Sequence, residues 1–427
     1  MITPYFSSTT TKLLYQVVID LLNEAVVLSK KHTVELQIMC FNFTEELIYE
    51  RIKTIALENP KMTIKILADW GNISQENDRK IHLLAKLNLP NLRVRLKYDQ
   101  PYLWDTAQQK LLWNYNASLG MLHHRTLLVL KNNQPIALQS GSYNWTKQAN
   151  RNYENIIQFS STNSNKDNTE LLKCFQKEFT FLWSNTSLTL SFKSGLQYLD
   201  KFANELKSNK EVALPFGLTN DDIQENTLQQ KTLPKSEIDS SILVGFNSKY
   251  PSQENGNGFH QYNSSRSFNL RKTSGIVHKA PITITTLTLD LINAAKRNET
   301  IYLAMFALSY RTAEYNALLQ AARRGVRLRY ILDRNANEEV MDKLQKTASK
   351  ERLHIKIRSG KKVMHQKYLV NISTGDIVTG TANMTTDATD RHWEHRILFR
   401  NKKALATQFI LDFETIWERI SLSKYKK

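Results

Sequence analysis

The chain carries one short pattern of polar residues twice, once in each half. The first copy runs from His123 to Glu154 and the second from His365 to Glu394. In both copies a histidine is followed two positions later by a basic residue, then by a Gly-Ser/Thr-x-Asn segment, and finally by a glutamate. Such a repeat predicts two half-domains that fold alike and meet around one site.

The residue types in this pattern suit phosphoryl chemistry. One histidine can attack a phosphorus atom while a second protonates the leaving oxygen, so a two-histidine site needs both imidazoles in one place. A single histidine beside a lysine means little, whereas two histidines that recur with matched asparagine and glutamate residues form a specific signal. The repeat therefore favours a phosphodiester site shared by the two halves.

The secondary structure that the sequence predicts repeats in the same order. Apolar periodicity predicts a helix, then a buried strand, then an alternating strand that ends in Asp, and then the strand that carries the histidine. The corresponding segments are 12–27 with 287–295, 34–41 with 301–307, 62–69 with 326–333, and 122–130 with 364–372. Repeated strand–helix–strand units predict an α/β fold in which helices cover the sheets.

The pattern His-x-Lys followed by Gly-Ser-x-Asn resembles the signature of the phospholipase D superfamily. The first copy, with Gly-Ser-Tyr-Asn-Trp-Thr at 141–146 and Tyr-Glu-Asn at 153–155, is similar to the bacterial endonucleases and the mitochondrial cardiolipin hydrolase-like members. The resemblance covers roughly residues 10–188 and 277–421. It implies a duplicated phospholipase D-like α-β-α sandwich whose two halves form one active-site cleft.

The segment between the halves differs from both in composition. Residues 247–269 are rich in Asn, Ser, Gly and Gln, which is typical of a flexible loop. We therefore expect an N-terminal phospholipase D-like half at 1–190, a partly flexible linker at 191–279, and a C-terminal phospholipase D-like half at 280–427. Because both copies lie in one chain, a monomer should contain a complete site.

The resemblance assigns the chemistry to the two histidines. It implies that His123 is the nucleophile that forms a covalent phosphohistidine, and that His365 is the acid and base. Glu154 and Glu394 would each bond the distal nitrogen of an imidazole, which fixes its tautomer and stabilises the imidazolium. No metal and no cofactor are expected, because the histidines and the neighbouring cations supply the proton transfers and the charge stabilisation.

The resemblance also implies a set of groups that hold the phosphate. Arg125 and Lys367 would bind its non-bridging oxygens, and Asn144 and Asn383 would donate further hydrogen bonds to them. Arg125 stands where the superfamily usually has lysine, so a planar fork replaces a point charge. The aspartate that the superfamily usually has five residues after this basic position is absent from both copies.

Four further side chains are candidates for contact with the substrate. The hydroxyl groups of Ser142 and Thr381 would bind the substrate or fix the loop in which they lie. Trp104 and Trp113 belong to an aromatic-rich insertion at 98–120 that has no counterpart in the second half. Aromatic side chains beside a basic groove stack on bases or contact a membrane interface, and ordinary loop packing is the alternative.

Net charge narrows the class of partner. The chain has 58 Lys and Arg against 40 Asp and Glu, a formal net charge of +18. Such a field attracts polyanions, either nucleic acid or anionic lipid headgroups. Three functions remain open: a nuclease acting on DNA or RNA, a phospholipase D or phosphatidyltransferase acting on membrane phospholipids, and a polyanion-binding protein without catalysis. The charge, the nuclease-like first copy and the aromatic insertion favour the nuclease.

Location and redox state are indicated only by what the sequence lacks. It shows no secretory leader and no apolar run long enough to span a bilayer. A cytoplasmic location, or export by a route that needs no such leader, is the expectation.

The two cysteines, Cys40 and Cys174, both lie in apolar periodic segments, so buried free thiols are expected rather than a disulfide.

Overall fold

The computed structural model describes residues 1–73, 79–97, 102–105, 110–113, 121–161, 166–184, 189–197, 241–247, 283–390 and 392–423. Its strands are β1 (Ile2–Phe6), β2 (Val34–Cys40), β3 (Thr63–Ala68), β4 (Leu92–Lys97), β5 (Tyr102–Asp105), β6 (Lys110–Trp113), β7 (Thr126–Lys131), β8 (Gln134–Gly141), β9 (Asn155–Ser160), β10 (Thr189–Ser191), β11 (Ile242–Phe246), β12 (Thr300–Met305), β13 (Arg327–Leu332), β14 (Ile355–Arg358), β15 (Lys367–Asn371), β16 (Asp376–Gly380) and β17 (His395–Phe399). Its helices are α1 (Leu14–Ser29), α2 (Glu46–Glu58), α3 (Lys80–Lys86), α4 (Lys166–Ser184), α5 (Ile284–Ala294), α6 (Ala313–Arg323), α7 (Glu338–Glu351), α8 (Thr386–Asp390) and α9 (Lys403–Ser423).

The first half forms an eight-stranded sheet in the order β1-β9-β8-β7-β2-β3-β4-β10. Strands β2, β3 and β4 are parallel, and α2 and α3 provide the crossover connections that parallel strands require. Helix α1 buries Leu14, Val18, Leu21 and Ala25, whose spacing places them on one face. That face packs with α2 against the outer side of the sheet.

The second half repeats this plan in a seven-stranded sheet with the order β11-β17-β16-β15-β12-β13-β14. Strands β12, β13 and β14 are parallel, and β15, β16 and β17 are antiparallel. Residues of α5, α6 and α7 form the core on the outer face of this sheet. The predicted fold class, a duplicated α-β-α sandwich, is therefore confirmed.

Strand β11 comes from the segment that the sequence assigned to the linker. It pairs antiparallel with β17, as β1 pairs with β9, so it is the second half's counterpart of β1. Strand β10 and Phe192 likewise belong to the sheet and core of the first half. Phe192 and β11 therefore lie within the stretch 191–279 that the sequence assigned to the linker, and the bounds of the linker stay a prediction. A short edge strand contacts only one neighbour, so its sequence pattern is weak.

One apolar core joins the inner faces of the two sheets. Phe6, Leu138 and Phe159 of the first half lie in it together with Tyr368 and Phe399 of the second. Helix α4 packs on β8 and on β11, whereas α9 packs on β15 and on β1. Because each of these helices contacts both halves, the two sheets are held in one fixed arrangement around the cleft.

The aromatic insertion of the first half contains a β-hairpin. Strands β5 and β6 pair antiparallel, with Tyr102 opposite Trp113 and Trp104 opposite Leu111. The side chains of Trp104 and Trp113 lie outside the described residues, so their expected contact with substrate stays a prediction. Across the helices that the structure does describe, none is both long and apolar enough to cross a bilayer.

Both cysteines are free thiols, as the sequence predicted. Cys40 ends β2 and is buried, and burial raises the pKa of its thiol. Cys174 lies on α4 and is partly exposed, so the expectation of burial is confirmed for Cys40 and not for Cys174.

Candidate active site

The residues just before β7 and β15 lie beside the glutamate segments of the opposite half, so the two histidines precede the strands that the sequence predicted to carry them. The backbone N–H of His123 donates to the carbonyl oxygen of Trp393 at 3.0 Å, and that of His365 donates to the carbonyl oxygen of Tyr153 at 3.0 Å. Isolated parallel bridges extend both contacts. Because a glutamate directly follows each aromatic residue, this crossing carries each carboxylate to the histidine of the other half.

Each imidazole is hydrogen-bonded to the glutamate of the other half. Nδ1 of His123 lies 2.6 Å from Oε1 of Glu394. Nδ1 of His365 lies 2.8 Å and 2.9 Å from the two carboxylate oxygens of Glu154. With Nδ1 occupied, Nε2 is the nitrogen that remains for chemistry. The sequence predicted that glutamates bond the histidines but not that the halves exchange them, so neither half holds a complete site.

Ser142 and Thr381 support the glutamate segments from behind. The hydroxyl of Ser142 donates to Oε2 of Glu154 at 2.6 Å and accepts the N–H of Asn155 at 2.9 Å. The hydroxyl of Thr381 accepts the N–H of His395 at 3.1 Å. Both side chains are fully buried and bonded to protein partners. The expected contact with substrate is therefore not supported, and the geometry makes both of them positioning residues.

Close approach explains the glycine at the start of each Gly-x-x-Asn segment. A Cβ at Gly141 would lie 2.3 Å from the carbonyl oxygen of Asn155, and a Cβ at Gly380 would lie 2.3 Å from that of His395. Gly380 also has a φ of +148°, which side chains disfavour. A larger residue at either position would push the glutamate segment away from the loop that carries the asparagine.

The two cations are held in different ways. Arg125 donates from Nη1 to the carbonyl oxygen of His123 at 2.9 Å and from Nε to Oδ1 of Asn144 at 2.5 Å. Its other terminal nitrogen, Nη2, contacts Nε2 of His123 directly. Lys367 donates to the carbonyl oxygen of His365 at 2.6 Å, and within the described part of the chain it makes no bond to that ring. The guanidinium thus covers the reactive nitrogen of His123, whereas the ammonium leaves that of His365 uncovered.

The two asparagines are half-buried and differ in their partners. Asn144 is bound by Arg125 through its side-chain oxygen. Asn383 accepts a bond from Arg396 at its backbone oxygen, at 2.6 Å, and Arg396 is fixed by a buried ion pair with Glu314 at 3.0 Å. The side-chain oxygen of Asn383 is buried and has no hydrogen-bond partner among the described residues.

Burial lowers the pKa of both histidines. At His123 the positive charges of Arg125 and Lys367 add to burial, and the pKa falls well below its ordinary value. At His365 burial again lowers the pKa, but the carboxylate of Glu154 opposes the decrease. Each imidazole is influenced by the cation of the other half as well as its own, which indicates that both reactive groups converge on one cleft.

The pKa values of the two glutamates are shifted in opposite directions. Burial acts to raise the pKa of both carboxyl groups. At Glu154 the neighbouring His365 and Lys367 outweigh burial, and the pKa lies below its ordinary value. At Glu394 burial prevails and the pKa is raised. Burial also lowers the pKa of Lys367 to about 7 and that of Arg125 to about 10, so the cleft carries its full cationic charge below neutral pH.

Two phenylalanines that the sequence analysis did not single out hold the imidazole rings. Phe41 packs edge-on against His123 with ring centroids 5.2 Å apart, and Phe306 packs against His365 at 4.9 Å. Each follows directly after the central parallel strand of its half, β2 or β12. Their equivalent places in the two aligned strand segments were the available signal.

Two aspartates anchor the residues that precede the histidines. Oδ2 of Asp69 accepts the N–H of Leu122 at 2.8 Å, and Oδ2 of Asp333 accepts the N–H of Met364 at 3.2 Å. Burial raises the pKa of Asp69. Both aspartates end strands that the sequence predicted, and in the structure they position the segments that contain the two histidines.

Three other histidines lie close to the cleft. His124 and His395 are fully buried, stacked at 5.1 Å, and joined through their Nδ1 atoms at 2.8 Å. His392 accepts the N–H of Met121, and its ring lies 5.9 Å from that of His123. In the described ranges no cluster of three His, Cys, Asp or Glu side chains has the geometry of a metal site.

One model of a known protein family matches part of the second half of this chain. Residues 288–417 match the family model described as "Cardiolipin synthase, PLD-like domain". The predicted resemblance to the phospholipase D superfamily is confirmed. A search of the curated proteins finds no match to this chain.

Solved structures of phospholipase D-like proteins resemble this chain in fold. Phosphatidylserine synthase from Haemophilus influenzae Rd KW20 has a TM-score of 0.55 at 11% identity, covering 97% of this chain and 86% of that one. The phospholipase D family member Nuc from Salmonella typhimurium gives 0.30 at 14%, over 45% and 97%. Yeast tyrosyl-DNA phosphodiesterase gives 0.41 at 9%, over 89% and 88%. At such identities the first likeness establishes the fold, and the other two carry no argument.

This phospholipase D-like site departs from the superfamily pattern behind its cations. The positions five residues after Arg125 and Lys367 are Leu130 and Ile372, where the superfamily usually has aspartate. Leu130 is buried in the core shared by the two halves, and Ile372 packs against that core. A carboxylate is unfavourable in an apolar core unless it is paired. In this chain these positions therefore join the halves rather than support the cations.

Proposed function

We propose that this protein cleaves phosphodiester bonds through a covalent phosphohistidine on His123, with DNA or RNA as its substrate. The observation that carries the proposal is the exchanged pairing, in which each half supplies the carboxylate that orients the imidazole of the other. Arg125 and Lys367 lie beside the same two rings, where they would bind the non-bridging phosphate oxygens. These groups are the parts that an in-line phosphoryl transfer needs.

In the first step Nε2 of His123 attacks the phosphorus, a P–N bond forms, and the P–O bond to the leaving group breaks. His365 donates its proton to the leaving oxygen. The electrostatics support this division in direction, because burial and the nearby cations hold the pKa of His123 well below its ordinary value, whereas burial lowers the pKa of His365 against the opposing charge of Glu154. Arg125 transfers its Nη2 from His123 to a phosphate oxygen as the substrate binds.

In the second step water attacks the phosphorus opposite the P–N bond. His365, now neutral, takes the proton from the water, and the P–N bond breaks to release His123. The product keeps a phosphate monoester, and both histidines return to their starting states. An alcohol in place of water would give transfer instead of hydrolysis by the same sequence of bonds.

Charge and surface composition support nucleic acid as the substrate. A polymer with a phosphate at every residue interacts with more of the +18 net charge than a single headgroup does. In the described part of the chain the exposed large apolar side chains lie outside the segments that form the cleft; they are Met1, Leu13, Val27, Leu47, Leu57, Leu83 and Leu411. A site that takes lipid from a bilayer needs apolar surface beside it.

A phospholipid substrate is the second candidate. It is supported by the family model, whose description names cardiolipin synthase, and by the fold of a phosphatidylserine synthase. The same exchanged histidines would then transfer a phosphatidyl group to water or to an alcohol. The two candidate substrates react at the same kind of bond, and they differ in the groups attached to the phosphate.

The test is one panel of substrates in EDTA, applied to wild type, His123→Ala and the matched control His354→Ala. His354 is an exposed histidine before β14, outside the cleft. The panel contains labelled single- and double-stranded DNA, RNA, and mixed phospholipid vesicles. We expect wild type and His354→Ala to cleave nucleic acid and His123→Ala not to. Release of headgroup or phosphatidic acid without nucleic-acid cleavage would establish the lipid enzyme, and silence on every substrate would reject catalysis.

A further inference from the structure

The loop before the second catalytic strand is fixed against the last helix. Arg358 donates to the carbonyl oxygen of Trp417 at 2.7 Å, and its guanidinium lies 4.0 Å from the centroid of that ring. A Cβ at Gly360 would lie 3.1 Å from a side-chain carbon of Ile420. The absence of a side chain at Gly360 therefore lets the loop lie directly on α9. This contact brings the next residues of the loop to the C-terminal part of that helix.

Two exposed cations meet at this place. Nζ of Lys362 lies 4.4 Å from the centroid of the Tyr153 ring. Arg419 donates to the carbonyl oxygen of Ser8 at 2.9 Å, and its charge acts on the hydroxyl of the same tyrosine. The charge of Arg419 lowers the pKa of Lys362, after a larger contribution from partial burial. Among the ion pairs of the described residues, none includes either cation, although the charge of Glu154 acts on Lys362 and that of Arg419 acts on Asp412.

This pair lies next to the catalytic groups. Tyr153 directly precedes Glu154, and its carbonyl oxygen accepts the N–H of His365 at 3.0 Å. Lys362 lies three residues before His365, and the charge of Glu154 acts on it. The two cations are therefore at the rim of the cleft, on the side from which His365 would protonate the leaving group.

The equivalent place on the other side of the cleft is closed. Trp393 corresponds to Tyr153 in the repeat, and Nζ of Lys97 lies 4.6 Å from its ring centroid. Both Trp393 and Lys97 are buried. The arrangement of a cation over the aromatic residue before the glutamate thus occurs twice, but only the copy with Lys362 and Arg419 is exposed to a ligand.

We propose that Lys362 and Arg419 form a second phosphate site, which binds the phosphate next to the scissile one in a nucleic-acid strand. The inference rests on the proposed nuclease function and adds to it a direction: the strand leaves the cleft past Tyr153, on the leaving-group side. Two cations at one point suit the phosphodiester backbone, which presents an anion at every nucleotide. The exposed large apolar side chains of the described residues do not include any in the loop at 359–363 or beside Arg419, which argues against insertion into a membrane.

The experiment measures binding and turnover separately. Lys362→Gln and Arg419→Gln are compared with Lys61→Gln, an exposed lysine just before β3, at the opposite end of the strand from Asp69 and the cleft. Fluorescence anisotropy of a labelled single-stranded oligonucleotide is recorded in EDTA over a series of salt concentrations, in a His123→Ala background that prevents cleavage. Turnover of bis(p-nitrophenyl) phosphate, which has no second phosphate, is measured without that substitution.

We expect each of the two variants to weaken oligonucleotide binding several-fold and to reduce the slope of log affinity against log salt by about one. Lys61→Gln should change neither. All three variants should turn over the small diester as wild type does. Arg419→Lys, which keeps the charge, should keep the slope, whereas a fold that depends on the Ser8 contact would show a lowered melting temperature instead.

An unchanged slope in both glutamine variants would overturn the second phosphate site. Loss of binding to anionic vesicles, with oligonucleotide binding intact, would overturn it in favour of a lipid headgroup. The proposed nuclease function fails in a different way, namely if wild type does not cleave nucleic acid in the panel described above. The second site and the catalytic assignment are therefore tested by separate readouts.

Discussion

The two halves of the cleft share one plan but leave their histidines in different states. In the first half Arg125 covers Nε2 of His123, and the partner carboxyl, Glu394, has a raised pKa. In the second half Lys367 leaves the His365 ring uncovered, and the partner Glu154 has a lowered pKa. The pKa of both imidazoles is lowered, but a carboxylate opposes the decrease only at His365, and such unequal surroundings are the condition for one group to act as nucleophile and the other as acid.

Side-chain shape accounts for the difference at the cations. Arg125 and Lys367 both bind the carbonyl oxygen of their own histidine. A guanidinium is a planar fork whose other nitrogen then reaches the ring, whereas an ammonium is a single point. In the proposed mechanism a phosphate displaces Arg125 from His123 before attack. That displacement opposes the reaction by roughly one charge-assisted hydrogen bond, about 1.5–3 kcal/mol, unless the phosphate replaces it.

The largest predicted effects come from the two histidines, and they should differ in kind. His123→Ala removes the nucleophile and should lower turnover by about 10⁴-fold or more on any substrate. His365→Ala removes the acid, so a p-nitrophenyl diester, whose leaving group needs no proton, should still phosphorylate His123. The base for hydrolysis is also lost, so labelled phosphate should remain on His365→Ala in a denaturing gel. Label on His123→Ala and none on His365→Ala would reverse the two roles.

Substitution of the two glutamates should also lower kcat by unequal amounts, and by less than the histidine substitutions do. Glu154→Gln removes the charge that stabilises the His365 imidazolium and should lower kcat by about 10²-fold. Glu394→Gln keeps a hydrogen-bond acceptor beside a histidine that must be neutral, and about tenfold is expected. Ser142→Ala, which leaves the Glu154 charge but removes its buried hydrogen bond, is the matched control and should fall between wild type and Glu154→Gln. Equal losses in both glutamine variants would mean that the two pairs are equivalent.

Exchanging Arg125 and Lys367 should move the contact with Nε2 from the His123 ring to the His365 ring. Lys367→Arg places a guanidinium nitrogen within reach of Nε2 of His365 and should lower kcat/KM by about tenfold, the value of one charge-assisted hydrogen bond. Arg125→Lys should uncover His123 at a smaller change in rate, because weaker phosphate binding offsets the gain. Long-range ¹⁵N–¹H NMR of the imidazole rings reports each Nε2 directly. Identical His123 signals in wild type and Arg125→Lys would contradict the contact between Arg125 and Nε2 of His123.

The smallest predicted effect is a displacement of the pH profile. The reaction needs His123 neutral, so kcat/KM rises as pH passes above the pKa of His123, which is well below the ordinary value. It also needs His365 protonated, so the rate falls as pH passes above the pKa of His365, which is likewise lowered. Lys367, with a pKa of about 7, loses its charge next. Initial rates from acid to alkaline pH should give an acidic optimum, and a maximum above pH 8 would contradict these roles.

The sequence was sufficient to predict most of the fold. The strands that precede and carry the histidines have strong apolar patterns because both of their faces are covered, so β2, β3, β12 and β13 could be recognised. Strand β11 was missed because an edge strand of five residues is covered by one neighbour only.

The sequence predicted most residues of the candidate site, but it did not predict most of the contacts between them. The repeated polar pattern identified the histidines, glutamates, asparagines and cations, since chemistry fixes the residue type at each place. It did not identify Phe41 or Phe306, because an apolar residue after a strand is indistinguishable from ordinary core. It offered two roles for Ser142 and Thr381, contact with the substrate or fixing the loop, and the burial of both hydroxyls against the glutamate segments favours the second.

What the sequence by itself determined is the inventory: two copies of one half-domain, each with a histidine, a cation, an asparagine and a glutamate in fixed order. Only the tertiary structure decided which glutamate is hydrogen-bonded to which histidine. The strand of His123 begins against Trp393 and the strand of His365 against Tyr153, so the carboxylates are exchanged between the halves. Linear spacing cannot reveal this, because the hydrogen bonds that cross the cleft join residues about half a chain apart, and only the packing of the two sheets brings them together.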